Sequence, residues 1–197
     1  MREVELKSVV PDVAACRERV DAAGGRLIFA GRLRDRRYDL PDRSLVARDE
    51  VLRLRIYESL GSREAHIDWK GATGYAGGFK IRDEISTPVA DPNAVATILD
   101  RLGYLVIREI DREIAQYELH EAAVRFEEYP DMDALVEVEG DPVSIDRAIA
   151  AIGLPRSGFT SERLPEFVAR YEARTGRRAA LCDRELAGDY RYSSEDA

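Results

Sequence analysis

The sequence predicts an α+β domain built on an antiparallel sheet of roughly eight strands. Three observations carry that expectation. Apolar and polar residues alternate through most of the chain, four segments switch to the spacing of amphipathic helices, and the polar members of the alternating segments are nearly all ionisable. The 197 residues, 45% of them apolar, suffice for one domain with a real core and are few for two.

In chain order, alternation places strands at 2–8, 26–39, 51–58, 64–70, 79–87, 105–119, 122–129 and 134–140. Pro11-Asp12 opens the first helix, with Val13, Cys16, Val20 and Ala23 on one stripe and Gly24-Gly25 as its stop. Asp91-Pro92 opens the second, with Val95, Ile98, Leu99 and Leu102 before Gly103. Asp141-Pro142 opens the third, with Ile145, Ala148, Ile149 and Ile152 before Gly153. Aspartate accepts the free N–H groups of a first turn, proline has no N–H to satisfy there, and glycine permits the left-handed exit. A fourth stripe, Leu164, Phe167, Val168 and Tyr171, follows Ser161 as its expected cap. The second and third helices match at a fixed offset, and Glu137-Val138-Glu139 repeats the pattern of Glu3-Val4-Glu5, which reads either as a weak internal duplication or as shared capping grammar. Residues 1–176 are expected to form the domain, and 177–197, which lack a clean pattern, a packed or frayed tail without chemistry.

Composition excludes several classes. Charged residues make up 35%, above the usual quarter, and the net charge is −8, which disfavours generic binding to nucleic acid or membrane. No apolar run is long enough to span a membrane, and Met1-Arg2-Glu3-Val4-Glu5 does not read as a signal peptide. Cys16 and Cys182 offer neither a CxxC pair nor a disulfide framework, which suits a reducing cytoplasm. The expected setting is cytoplasmic, as a monomer or homodimer.

The alternation also sorts the charges by face. Glu3, Glu5 and Lys7 oppose Val4 and Leu6; Arg53 and Arg55 oppose Leu52, Leu54 and Ile56; Lys80, Arg82 and Glu84 oppose Phe79, Ile81 and Ile85. Arg125 and Glu127 alternate with Val124 and Phe126, and Glu137 and Glu139 with Val136 and Val138. Arg32, Arg34 and Arg36 extend the set, and Lys70 ends the strand through Trp69. Two arrangements fit: an open sheet with its charged face in water, or a sheet closed on itself with the charges inward and helices over its apolar outside. Inward Arg and Lys call for a polyanion, and inward Glu pairs for divalent cations such as Mg²⁺ or Mn²⁺; a metal-bound polyphosphate satisfies both.

Glu3-Val4-Glu5-Leu6-Lys7 has the ExExK form that opens the CYTH superfamily of class IV adenylyl cyclases and thiamine triphosphatases, the triphosphate tunnel metalloenzymes. Further matches follow in the family's order over most of residues 2–170. Arg34-Asp35 with Tyr38-Asp39-Leu40-Pro41 resembles its second strand and turn, and Ser44-Leu45 leads to Leu52-Arg53-Leu54-Arg55, like its LRxR strand. Trp69-Lys70-Gly71 resembles the WKG strand end, Arg82-Asp83-Glu84 the RxE strand, Gly103-Tyr104 the lead into a basic strand ending at Tyr117, and Glu137-Val138-Glu139 the closing ExE strand.

The resemblance implies a closed antiparallel eight-stranded β-barrel with a charged interior, acting on a triphosphate-containing small molecule. It implies that Glu3, Glu5, Glu127, Glu137 and Glu139 hold Mg²⁺ or Mn²⁺, that Lys7, Arg53, Arg55, Lys70, Arg82 and Arg112 grip phosphates, and that Glu3, Glu5 and Lys7 are central to catalysis. Arg34, Arg36 and Lys80 are expected to belong to the wall or rim, and Glu84 to serve as a counter-ion to Arg53 or Arg82 rather than a metal ligand. The chain departs from the family pattern at Ile114, where a second cation would follow Arg112, at Glu127, where Asp is usual, and at Thr160-Ser161-Glu162-Arg163-Leu164, which lacks a Ser-Tyr pair. Cys16, His66 and His120 have no partners in a catalytic or zinc pattern, and Gly71–Gly78 lacks the GK[ST] of a phosphate loop, reading as a hairpin at the tunnel mouth. Three functions follow: a metal-dependent triphosphatase, favoured because hydrolysis asks least of the site; a class IV adenylyl cyclase; and a non-catalytic polyphosphate or nucleotide binder.

Overall fold

A computed structural model of the chain describes residues 2–77 and 79–191, the side chains of Arg2 and Glu3 excepted. Its strands and helices, in chain order, are β1 (Arg2–Val9), α1 (Val13–Ala22), β2 (Arg26–Asp39), α2 (Ser44–Ala47) and β3 (Val51–Ser59). These are followed by β4 (Ser62–Lys70), β5 (Gly74–Ala76), β6 (Phe79–Pro88), α3 (Pro92–Arg101) and β7 (Leu105–Leu119). β8 (Ala122–Glu128), β9 (Leu135–Glu139), α4 (Pro142–Ile152), α5 (Leu164–Thr175) and α6 (Asp183–Ala187) complete the set.

Eight strands pair in the order β1-β9-β8-β7-β2-β3-β4-β6, and β6 returns to β1 through Val4↔Ile81 and Glu5↔Lys80. The sheet is therefore a closed antiparallel barrel, and the short β5 adds to the outer edge of β6 as a hairpin. Closure decides between the two arrangements left by the alternation. On β1 the charged Glu5 is 4% exposed and the apolar Leu6 1%, so neither face of the strand meets bulk water.

The apolar faces point outward, and helices cover those of β1, β8 and β9. Leu6, Val124, Phe126, Val136 and Val138 pack beneath Cys16 and Val20 of α1 and Ile145, Ala148, Ile149 and Ile152 of α4. A smaller cluster seats Leu99 of α3 on Tyr38 and Leu54. The helix starts follow the capping logic: Asp12 accepts from the Ala15 N–H (2.9 Å), Asp91 from Asn93 and Ala94 (3.0 Å each), and Asp141 from Val143 (3.0 Å). Gly153 leaves α4 at φ +77°, a conformation costly for any side chain.

Three features depart from the sequence reading. α5 begins after Arg163 without a side-chain cap, because Thr160 pairs both its N–H and C=O with Lys7 (2.8 Å each) and holds the following residues, Ser161 included, as an extended strap. α2 and β5 are too short to show a period. α2 exists because the buried Asp39 carboxylate accepts from the N–H groups of Leu45 (3.0 Å) and Val46 (2.9 Å). The segment after Gly176 packs as far as it is described: Leu181 and Cys182 are buried, Asp111 donates to the Leu181 carbonyl (2.8 Å), and α6 follows. Ser193 to Ala197 lie outside the described residues. His120 occupies the two-residue turn between β7 and β8, where it and Glu121 adopt φ of 52° and 65°, as a tight hairpin of this twist requires. Among the described residues no helix is long and apolar enough to cross a membrane.

Replacement of the fully buried Ile145 by alanine is expected to cost about 2–5 kcal/mol, whereas Ile98→Ala, on the exposed side of α3, should stay within about 0.5 kcal/mol. Urea midpoints of the two variants measure this, and equal midpoints would mean that α4 does not seal the barrel.

Candidate active site

The barrel interior is built from cross-strand pairs of opposite charge. The ladders set Lys7 opposite Glu137, Arg125 opposite Glu137, Glu5 opposite Lys80, Asp35 opposite Arg55, Arg53 opposite Asp68 and Lys70 opposite Glu84. Apart from Asp68 and Glu84, which stand behind Arg53 and Lys70, these side chains line one chamber, a space of about 550 Å³ that opens to solvent. Nine basic residues line it (Lys7, Arg37, Arg53, Arg55, Lys70, Lys80, Arg82, Arg112 and Arg125) against four acidic ones, Glu5, Asp35, Glu127 and Glu137.

Two acidic centres organise the cations. At the first, Lys7 Nζ lies 3.1 Å from Glu5 Oε1 and 2.5 Å from Glu137 Oε2; Lys80 also pairs with Glu5, and Arg125 with Glu137. Burial alone would raise the Glu5 pKa, but Lys7 and Lys80 overcome it and bring the carboxyl from its ordinary 4.5 to about 2. Glu137 is likewise held well below the carboxylate range by Arg125 and Lys7 against burial, and the same two glutamates raise the Lys7 pKa. Glu127 accepts from Arg112 (2.9 Å), Arg125 (3.1 Å) and the Tyr129 hydroxyl (2.7 Å).

At the second centre Asp35 lies within 3.8 Å of Arg53 and 3.5 Å of Arg55, and Asp68 accepts from Arg53 at 2.8 Å and from the Ser86 hydroxyl at 2.6 Å. Among the described residues, Asp35 Oδ1 and Arg112 Nη1 have no hydrogen-bond partner.

A vestibule of about 710 Å³ adjoins the chamber and shares Lys7, Arg37, Val51, Lys80, Arg82 and Leu164 with it. The strap that Thr160 ties to Lys7 brings Arg163 and Leu164 here, and Arg163 pairs with Asp49 (3.1 Å). Arg82 is fixed between the carbonyls of Gly71 (2.6 Å) and Asp49 (2.5 Å).

Of the residues singled out from the sequence, Glu5, Lys7, Arg53, Arg55, Lys70, Arg82, Arg112, Glu127 and Glu137 meet in this one chamber. The Glu3 side chain lies outside the described residues. Glu139 sits opposite Glu5 at the end of β9, half-buried and beyond the chamber lining. Glu84 pairs with Arg53 and with Lys70 (3.2 Å each), so it serves as a counter-ion of Arg53. Arg34 and Arg36 are on the outside, paired with Glu58 (3.1 Å) and Asp111 (2.7 Å), and Arg32 bonds Glu113 and Asp183 there. The inward charges of β2 are Asp35 and Arg37 instead. The run Arg32 to Arg37 is charged at both parities except for Leu33, so alternation could not orient it. Lys80 lines the chamber as a partner of Glu5, Asp68 lies between the apolar Ile67 and Trp69 with no motif to mark it, and Arg125 shares the parity of Glu127, a signal already present in the sequence. His66 packs edge-on to Tyr57, with ring centroids 6.0 Å apart.

The donor set suits a hard divalent cation. Lys7 Nζ already stands as a cation between two buried carboxylates, which is the electrostatic role such a metal takes. Among the described residues no three His, Cys, Asp or Glu side chains converge as a ready-made cage. Mg²⁺ is commonly held by one or two carboxylates completed by waters and substrate phosphates, so Glu5 and Glu137 fit that mode.

A family model described as the CYTH domain matches residues 1–145. Among solved structures, a candidate adenylate cyclase from Vibrio parahaemolyticus is similar at 19% identity and a TM-score of 0.70, covering 85% of this chain and 97% of that one. The PH1819 protein of Pyrococcus horikoshii OT3 aligns at 22% identity and a TM-score of 0.68 over 85% and 98% of the two chains. A candidate adenylyl cyclase from Hippeastrum, described as having a dominant triphosphatase activity, aligns at 15% identity and a TM-score of 0.59 over 91% and 98%. At these identities the similarities establish the fold. No curated protein sequence matches the chain significantly.

The depressed carboxylates set the acid response. A group whose pKa falls on folding contributes stability above its unfolded pKa and loses it as pH drops through the folded one. For Glu5 that window runs from 4.5 down to about 2, and Asp35 and Glu137 act in the same direction. Melting temperatures are therefore expected to hold down to about pH 5 and to fall steadily below it; a flat profile through this range would mean that the carboxylates are not paired inside the barrel.

Proposed function

The chain belongs to the CYTH family, and from that premise we propose that it is a divalent-metal-dependent triphosphatase whose substrate lies inside the barrel. The observation that carries the reading is the basic lining of the chamber: among the described residues nine Lys and Arg outnumber the four acidic residues of the lining, and still outnumber the acidic side chains once Asp68 and Glu84 behind Arg53 and Lys70 are counted, in a protein of net charge −8. Positive charge taken out of water needs a partner, and the phosphates of a triphosphate supply one.

The chain's own residues do the positioning. Asp35 and Asp68 hold Arg53 and Arg55 in place, so these guanidiniums meet the phosphates without reorganising, as electrostatic catalysis requires. Arg112 Nη1 has a donor left for a phosphate oxygen, and Arg suits two-point contact with phosphate where Lys7, Lys70 and Lys80 act as point charges. When Lys7 and Arg125 turn toward the substrate, Glu137 loses both partners and Glu5 keeps only Lys80, so the two glutamates need a new cation. Mg²⁺ or Mn²⁺ bound by these two glutamates, with Glu3 and Glu139 as the further ligands that the family resemblance implies, would neutralise phosphate charge and activate water for in-line attack on the terminal phosphorus. Glu127, bonded to Arg112, Arg125 and Tyr129, orients that corner as a counter-ion.

A second reading, cyclisation of ATP to cyclic AMP and pyrophosphate, is favoured by the vestibule, whose apolar wall of Val46, Val51, Ile107, Leu164 and Pro165 can receive a base.

Incubation with inorganic triphosphate, thiamine triphosphate and ATP, each with Mg²⁺ or Mn²⁺, followed by separation of products, tests both readings. Orthophosphate is the expected product. Cyclic AMP with pyrophosphate would select the cyclase, and binding without turnover would make the protein a polyphosphate-binding module. Glu137→Gln is expected to raise the metal concentration for half-maximal activity by about 10- to 100-fold; an unaltered requirement would remove Glu137 from the ligand set.

A further inference from the structure

Arg37 differs from the other basic side chains of the chamber. The remaining eight each bond a carboxylate or a backbone carbonyl, whereas Arg37 makes no hydrogen bond or ion pair among the described residues, and its Nε is buried without a partner. The nearby Asp35 is engaged with Arg53, Arg55 and Arg112.

The register makes this placement costly. Arg37 stands directly opposite Arg53 on β3 and directly opposite Arg108 on β7, so three positive residues occupy one row across three adjacent strands. Like charges opposed in this way destabilise a sheet. Burial, with Arg108 and Arg53 adding to it, lowers the Arg37 pKa to about 9. Nothing in the fold requires a guanidinium here, since an apolar side chain of similar size would remove the repulsion.

The position explains what would offset it. Arg37 lines both the chamber and the vestibule and so marks the passage between them. We propose that Arg37 is a substrate-binding residue that grips a phosphate group where the substrate's phosphate chain passes from the chamber into the vestibule. The proposal rests on the triphosphate reading and extends it to a residue outside the sequence motifs. Arg37 thereby orders the far end of the chain, and Arg108 and Arg53 reinforce the local positive potential.

Inorganic triphosphate, free of metal and then with Mg²⁺, is the probe for wild type, Arg37→Gln and Arg37→Lys. Calorimetry should show triphosphate binding weakened about 10- to 100-fold in Arg37→Gln and by less in Arg37→Lys, which keeps the charge but not the two-point grip. Without ligand, Arg37→Gln should melt at or above the wild-type temperature, because the like-charge row is relieved, while its ligand-induced rise in melting temperature shrinks. A purely structural arginine would lower the melting temperature of both variants, and that outcome overturns the proposal, as does unchanged affinity in Arg37→Gln alongside tight wild-type binding. Failure of the wild type to bind triphosphate would instead remove the triphosphatase reading, and this proposal with it.

Discussion

Charge enclosed in a closed barrel is the constraint on which the rest of the molecule depends. Closing the sheet removes its edges, and it also takes one face of every strand out of bulk water. On that face the chain carries glutamates, aspartates, lysines and arginines, each of which needs a partner within reach. The ladders supply it: Lys7 across from Glu137, Glu5 across from Lys80 and Arg53 across from Asp68 turn strand register into ion pairing. A slip of one residue in any of these strands would bury apolar side chains among charges and expose charges to the helices, so the interior pairs and the exterior core enforce the same register.

The pairing is incomplete in one direction, and function follows from that residue of charge. The protein as a whole is at −8 while the described lining of the chamber is predominantly basic, so the remainder of the chain is strongly acidic. Under the proposed function, a polyanion would be disfavoured by that acidic remainder and stabilised by the chamber lining. Access through the vestibule therefore matters, and the strap tied to Lys7 by Thr160 sets the wall of that passage by placing Arg163 and Leu164 there. The same Lys7 that carries the strap on its backbone bridges two glutamates with its side chain, linking the frame of the mouth to the acidic centre.

Much of this was legible in the sequence because two periods coexist in it. A strand with a strict charged face, such as Arg53 and Arg55 between Leu52, Leu54 and Ile56, states which side chains go together even before the sheet is known to close. Asp-Pro openings and glycine exits marked the helices for the same reason: end groups must be satisfied locally. Where the local signal fails, tertiary contacts decide. Arg34 and Arg36 follow Arg32 in the alternation yet lie outside the barrel, because only pairing with β3 and β7 orients a run charged at both parities. Ser161 has a capping side chain, but the backbone pairing of Thr160 with Lys7 prevails over it. Asp35, Asp68 and Arg37 carry no motif, and their importance comes from which residues stand across the ladder.

The barrel's seam has a consequence for how the chain is made. Strand β1 pairs with β6 and β9, and through Lys7 with Thr160, all distant in sequence, so residues 2–9 are synthesised long before these partners exist. During translation this segment is an unsatisfied edge with Val4 and Leu6 uncovered, the kind of element that joins neighbouring nascent chains. Its alternate positions are Glu3, Glu5 and Lys7, and charge at every second residue resists such association. Glu5 and Lys7, which line the chamber of the finished barrel, thus also disfavour self-association of β1 before β6 and β9 are made.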